Sequence, residues 1–150
     1  MPTRRPLYHT PPPFVPDGNW FFLTLCCARR GLNQLCSQPT SATLLADAAF
    51  YHRTRRWTVH LLLLMPDHLH ALVAFPAGTR MSDTIRHWKR LTARRAGVVW
   101  QRNYFDHRLR PGENLELKAR YIRENPLRAG LVTRAEDWPY YVDHLTIEGR

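Results

Sequence analysis

The chain has 150 residues, a length typical of one domain with a single hydrophobic core. Its 22 lysines and arginines against 12 acidic residues give a formal net charge of +10, which indicates a polyanionic partner, nucleic acid before membrane. The three cysteines form no C-x-x-C pair, which argues against a disulfide framework or a cysteine zinc site, and no apolar run approaches the ~20 residues that span a bilayer. These exclusions predict a cytoplasmic protein.

The first 18 residues are rich in proline and favour an extended arm ahead of a single domain, which covers residues 19–150. Arg4 and Arg5 lie near aromatic residues in this arm. Because that composition suits phosphates and unstacked bases, both arginines are candidate DNA contacts. For the first few residues, a disordered tail is the favoured interpretation.

Strand-like composition, bounded by turn residues, predicts four β-strands: residues 20–28, 57–64, 68–75 and, with an irregular continuation, 98–109. One helix is predicted from Ser41 or Thr43, either of which can cap it, to about Arg56, and a second from Ser82 to about Ala96. The order βαββαβ is that of an α+β ferredoxin-like sandwich, in which an antiparallel sheet carries two helices on one face. RNA-binding modules and nucleases share this order, so the fold does not select the function.

A predicted hairpin turn, Met65-Pro66-Asp67, leads directly into His68 and His70. Since side chains alternate along a strand, both imidazoles are expected to point to the same face of the sheet. Two neighbouring imidazoles on a strand are candidate metal ligands, although pairs with this spacing are more often surface or core residues.

The second predicted helix carries a basic face that is almost free of acidic residues. Its members are Arg86, Lys89, Arg90 and Arg94. Such a face is usually only solvated, but on a chain this basic it is a candidate stripe for DNA phosphates.

A further helix is predicted from about Glu113 to Asn125, where Pro126 ends it. Lys118, Tyr121 and Asn125 occur at i, i+3 and i+7, so Tyr121 and Asn125 can address the same point in space. Taken alone, Tyr121 is better explained as a packed or surface tyrosine, and Asn125 is a common type of residue at the end of a helix before proline.

Three segments carry a resemblance to a known family, in the family's order: residues 65–70, 100–107 and 121–132. Together they resemble the REP-associated tyrosine transposases, which belong to the IS200/IS605-like single-tyrosine transposases of the HUH type. The resemblance covers nearly the whole chain. Asp106-His107 matches a recurring segment of the family. These two residues either hold metal ligands in place through hydrogen bonds or form a structural turn.

By this resemblance, His68 and His70 match the histidine–hydrophobe–histidine metal motif. Tyr121 falls where the family carries its nucleophile, and Asn125 matches the polar residue that completes the metal site. The family also implies the ferredoxin-like core with the tyrosine on a helix that follows the fourth strand.

The resemblance implies a metal-dependent endonuclease and strand transferase for single-stranded DNA that carries a REP-type hairpin, acting as a monomer or a homodimer. A covalent 5′-phosphotyrosine conserves the phosphodiester energy for rejoining without ATP. Free tyrosine has a pKa of ~10, so its ionisation needs help, which a divalent ion and nearby cations such as Lys118, Arg120 or Arg123 can supply. Lys118 is also a candidate DNA contact. Ligand softness favours zinc, cobalt or manganese, whereas the family implies magnesium or manganese.

The alternative function on the same fold is a non-catalytic nucleic-acid-binding module, which needs basic and aromatic surface but neither metal nor nucleophile. The presence and order of four residues favour the nuclease: His68, His70, Tyr121 and Asn125. A zinc hydrolase that uses the histidines with a cysteine ranks last, since no convincing further ligand is present.

Overall fold

The structure is a computed structural model that describes residues 19–144; the predicted arm, with Arg4 and Arg5, lies outside the described residues. Its sheet has five strands: β1 (Phe21–Cys26), β2 (Thr58–Met65), β3 (His68–Ala74), β4 (Phe105–Arg108) and β5 (Tyr141–Val142). They lie in the order β4-β1-β3-β2-β5, and every neighbouring pair is antiparallel.

Four α-helices connect and follow these strands: α1 (Thr40–Arg53), α2 (Met81–Ala96), α3 (Leu115–Arg123) and α4 (Asn125–Arg128). The first four strands and two helices follow one another as βαββαβ, which confirms the predicted α+β ferredoxin-like fold. No helix within residues 19–144 is long and apolar enough to cross a membrane.

One face of the sheet is buried beneath α1 and α2. Trp88 of α2 is fully buried, and its ring lies 5.4 Å from that of Trp57, which also packs against Phe75. Phe75 in turn contacts Phe21, whose side chain lies on the same face as Leu23. Burial of such large side chains contributes about 1.5–3 kcal/mol each and joins the helix layer to the sheet.

The opposite face of the sheet is covered by α3, which contacts β2 and β3. Leu115, Ala119 and Ile122 are buried there, as expected for the apolar stripe of an amphipathic helix. The two faces of the sheet therefore carry different layers: α1 and α2 on one side, and α3 on the other.

The first helix does not begin as predicted. It starts at Thr40 after an N-cap at Pro39 with no side-chain cap, and Ser41 lies buried inside the helix. Neither Ser41 nor Thr43 is therefore its cap. At the other end, the helix stops at Arg53, and Arg55 adopts a left-handed conformation with φ of 61°.

The fourth strand is much shorter than the predicted stretch 98–109. Only Phe105–Arg108 pairs continuously with β1, while Trp100 makes an isolated bridge to Cys27. The fifth strand was not predicted; it pairs with β2 at Leu62 and Leu63. After α4 the chain returns to the sheet, where the buried Trp138 donates its indole N–H to the carbonyl of Leu64 at 2.9 Å.

Candidate active site

The histidine pair lies on the sheet face that α3 covers. Antiparallel pairing places His68 opposite Cys26 and His70 opposite Thr24, and the two imidazole centroids are 4.8 Å apart in a T-shaped arrangement. In this register both side chains lie on the same face of the sheet, as the alternation of side chains predicts.

Each imidazole uses its Nδ1 atom within the protein. Nδ1 of His68 donates to Oδ1 of Asp67 at 2.8 Å, and a hydrogen bond of 3.0 Å joins Nδ1 of His70 to Oγ1 of Thr24. Nε2 is then the nitrogen through which each ring can bind a metal, because a partner at Nδ1 fixes tautomer and orientation.

The Asp67 carboxylate is itself held in place. Burial opposes its ionisation, but hydrogen bonds from Arg30 at 3.0 Å, from the backbone N–H of Gly31 at 2.8 Å and from His68 hold its pKa well below the usual range. The carboxylate therefore stays ionised and is an acceptor for the His68 ring.

His70 is poised as a neutral imidazole. Burial, followed by the charges of His68 and Arg128, lowers its pKa to about 4. A neutral ring keeps a lone pair on nitrogen, which is the form that binds a metal ion.

Tyr121 lies on α3, above the same face of the sheet. Its side chain is 51% exposed, whereas its helix neighbour Ile122 is buried. The Asn114 side chain caps the helix by accepting hydrogen bonds from the backbone N–H groups of Glu116 and Leu117 at 2.8 and 3.2 Å. A capped, anchored helix thus presents a solvent-accessible phenol.

The helix that carries Tyr121 ends earlier than predicted. It stops at Arg123, and Asn125 begins the next short helix with Pro126 in its first turn. Proline is tolerated in a first turn because no intrahelical hydrogen bond is lost there, so Pro126 starts α4 and does not end α3. Tyr121 and Asn125 therefore do not share one continuous helix face.

Asn125 nevertheless fits a metal site chemically. Its Nδ2 atom is buried without a hydrogen-bond partner. Within residues 19–144, no group of three or more His, Cys, Asp or Glu side chains is placed to hold a metal ion. If a third protein ligand completes the pair, it belongs to another residue type, and the amide oxygen of Asn125 has the chemistry for that role.

The predicted basic stripe on α2 is not one uniform surface. The Lys89 ammonium donates to the carbonyls of Gln101 and Arg102 at 2.7 and 3.0 Å, and burial lowers its pKa, so this side chain braces a loop. Arg86 forms an ion pair of 3.1 Å with Asp83.

The remaining arginines of the stripe, Arg90 and Arg94, line a cavity of about 650 Å³ between α2 and the end of α1. Arg55 and Arg56, which no sequence pattern singled out, line it from the α1 side. The guanidinium of Arg56 lies 5.1 Å from the Tyr51 ring centroid. No acidic residue lines this cavity, which we call the arginine cleft.

Comparisons of sequence and of structure both find REP-associated tyrosine transposases among the similar proteins. The chain is 27% identical over 135 residues to the REP-associated tyrosine transposase of Escherichia coli strain K12, which covers 87% of this chain and 79% of that protein. The predicted resemblance to the REP-associated tyrosine transposases is confirmed. A solved structure of a REP-associated tyrosine transposase bound to a REP hairpin shares the fold, with a TM-score of 0.70 and 23% identity over 95% of this chain and 86% of that one. No family model matches the chain.

Asp106 and His107, in the second segment that resembles the REP-associated tyrosine transposases, lie on opposite faces of β4. The register pairs Asp106 with Leu23, on the face away from the histidine pair, so Asp106 is not placed to support that pair. His107 is opposite Phe22 and donates its Nε2–H to the Glu113 carboxylate at 3.0 Å, which ties β4 to the start of α3.

Two of the cations expected to assist Tyr121 have other partners: Lys118 lies 3.7 Å from the Glu113 carboxylate, and Arg123 forms an ion pair with Asp143. The Tyr121 ring is contacted by Arg128, a residue of the third segment that resembles the REP-associated tyrosine transposases and one for which no sequence pattern predicted a role. Its position depends on the turn between α3 and α4, which helical periodicity does not predict.

Proposed function

We propose that the chain is a metal-dependent endonuclease and strand transferase, which cuts single-stranded DNA beside a REP-type hairpin in the cytoplasm and uses Tyr121 as the nucleophile. The observation that carries this proposal is the placement of His68 and His70, with both Nδ1 atoms engaged, on the sheet face covered by the helix that presents Tyr121. The similarity to REP-associated tyrosine transposases supports a transposase-like function.

In this reaction, the phenolic oxygen of Tyr121 attacks the scissile phosphorus as its proton passes to solvent. The bond from phosphorus to the 3′ oxygen breaks, and that oxygen leaves as a 3′-hydroxyl while the 5′-phosphate stays on the tyrosine. Attack of a 3′-hydroxyl on the phosphotyrosine reverses the step, so strands are rejoined without ATP.

Bound Mg²⁺ or Mn²⁺ would supply Lewis-acid polarisation of the scissile phosphate, and His68, His70 and Asn125 are the residues that would hold it. Asp67 and Thr24 orient the two imidazoles for this purpose through their Nδ1 atoms. The exposed face of Tyr121 lets a flexible strand approach, which a single strand does more readily than a duplex.

The first experiment detects a covalent adduct. A single strand that carries a candidate hairpin and a label at its 3′ end is incubated with the protein and Mn²⁺, and labelled protein is sought after denaturing electrophoresis. We expect an adduct with the native chain and none with Tyr121→Phe, while hairpin binding changes little. Tyr141→Phe, which alters another exposed tyrosine, is the matched control and should keep the adduct.

Two results would contradict the proposal. Loss of hairpin binding in Tyr121→Phe would make this tyrosine structural, and an adduct that persists in the variant would require another nucleophile. Tight binding by the native chain without an adduct on several hairpins would favour the alternative function, a non-catalytic binding module built on the basic surface.

A further inference from the structure

Arg128 is in direct contact with the proposed nucleophile. Its guanidinium carbon lies 4.0 Å from the centroid of the Tyr121 ring, and its Nη2 donates to the backbone carbonyl of Tyr121. The guanidinium therefore covers one face of a ring that is otherwise exposed and is also fixed to the backbone of the same residue.

Local geometry keeps Arg128 in this position. It ends the short helix α4, in which Pro126 is buried and the N–H of Arg128 donates to the carbonyl of Glu124 at 2.9 Å. The Glu124 carboxylate lies 3.7 Å from Nη1, and both side chains are substantially exposed, at 40% and 45%. Such a pair is weak in water and leaves the guanidinium able to bind a stronger anion.

We propose that Arg128 is a catalytic residue of the reaction assigned to Tyr121, and that it donates hydrogen bonds to a non-bridging oxygen of the scissile phosphate. This inference rests on the proposed function. The flat face of the guanidinium orients the phenol, while the N–H donors that the Tyr121 carbonyl does not use remain available to the phosphate.

The chemistry explains why a cation is useful at this point. As the bond from the Tyr121 oxygen to phosphorus forms and the bond to the 3′ oxygen breaks, negative charge is carried by the non-bridging oxygens. Arg128 neither gains nor loses a proton in this step. It contributes fixed N–H donors and a positive charge, and loss of one such donor typically slows a reaction ~10²–10³-fold.

The test measures single-turnover adduct formation, hairpin binding and melting temperature for the native chain, Arg128→Ala and Arg128→Lys. We expect Arg128→Ala to slow adduct formation ~100-fold or more at saturating DNA, with little change in binding or melting. Arg128→Lys, which keeps the charge but not the planar fork, should recover part of the rate. Arg134→Ala, an exposed arginine paired with Glu136, is the matched control and should keep the native rate.

A second substrate separates phosphate contact from positioning of the ring. It carries an uncharged methylphosphonate at the scissile position. If Arg128 binds the charged oxygen, the native chain and Arg128→Ala should react with this substrate at similar rates. If Arg128→Ala is slower than the native chain by the same factor on both substrates, Arg128 only positions Tyr121 and the proposal is overturned. An unchanged rate in Arg128→Ala on normal DNA also overturns it, whereas absence of any native adduct refutes the underlying function.

Discussion

The orientation of the histidine pair depends on one near partner and one distant partner in the sequence. Asp67 precedes His68 directly, so its contact follows from the hairpin turn. Thr24 lies 46 residues from His70 and meets it through the pairing of β1 with β3. Both contacts leave Nε2 as the atom that would bind the proposed metal, and the arrangement resembles that of metal sites whose outer partners fix the ligand rings.

If the pair holds a metal, His68→Ala should weaken Mn²⁺ binding at least ~10-fold, since removal even of outer partners costs ~10–100-fold. The binding constant is measured by titration of the DNA-free protein, and metal-dependent cutting is measured in parallel. His87→Ala, which changes an exposed histidine on α2, is the control for Mn²⁺ affinity in the DNA-free protein. Unchanged Mn²⁺ affinity in His68→Ala would remove the metal assignment.

Sequence was informative for single residues where local rules apply. Alternation placed His68 and His70 on one face, and the resemblance singled out Tyr121. The helical pattern grouped Lys89 with the DNA contacts, but its ammonium is bound by carbonyls of a loop that returns to α2. No pattern singled out Arg128, which contacts Tyr121. Neither contact has a local periodicity, because both depend on how the chain turns after a helix or strand.

At the scale of elements, the start of α3 is joined to the sheet by Glu113. Its carboxylate accepts from the Arg110 N–H at 2.6 Å and from His107 at 3.0 Å, and it lies 3.7 Å from Lys118. Burial opposes ionisation, but these partners together lower the pKa of Glu113 below its ordinary value of 4.5. The helix that presents Tyr121 is thereby tied to β4.

Glu113→Gln should lower the free energy of unfolding by about 1 kcal/mol at pH 7, a typical value for a lost partly exposed hydrogen-bond acceptor. A carboxyl with a lowered folded-state pKa stabilises the fold above its unfolded value of 4.5, and this contribution is lost as pH falls through the folded pKa. The difference between native and variant should thus shrink below about pH 4.5. Urea unfolding at several pH values measures it, with Glu136→Gln as the surface control; a difference that grows in acid would contradict the linkage.

Element identities were predictable, and their ends were not. Composition and periodicity suffice for the hairpin of β2 and β3 and for α2, whose apolar residues recur at helical spacing. The cap of α1, the short β4 and the two-residue β5 depend on tertiary packing. Pro126 was misread because the same residue suits the end of one helix and the first turn of another.

On the scale of the whole molecule, the sheet separates two kinds of surface. The histidine pair and Tyr121 lie on the face covered by α3, whereas the arginine cleft lies in the layer formed by α1 and α2 on the other side. DNA held in the cleft would touch the protein away from the proposed cutting site. Part of the excess positive charge is therefore clustered in the arginine cleft, apart from the proposed cutting site.

If the cleft binds DNA phosphates, Arg90→Gln with Arg94→Gln should reduce the salt dependence of hairpin binding. Each phosphate contact contributes about 0.7–0.9 to the slope of log affinity against log salt, so loss of two contacts lowers the slope by about 1.4–1.8. Affinity is measured between 50 and 200 mM salt, roughly the range over which such contacts are resolved, in a Tyr121→Phe background that prevents cutting. Arg134→Gln, paired with Glu136 and remote from the cleft, should leave the slope unchanged. When the double variant keeps Tyr121, the rate of adduct formation at saturating DNA should not change, because the cleft lies across the sheet from the tyrosine. A salt dependence equal to that of the native chain would exclude phosphate contact by Arg90 and Arg94.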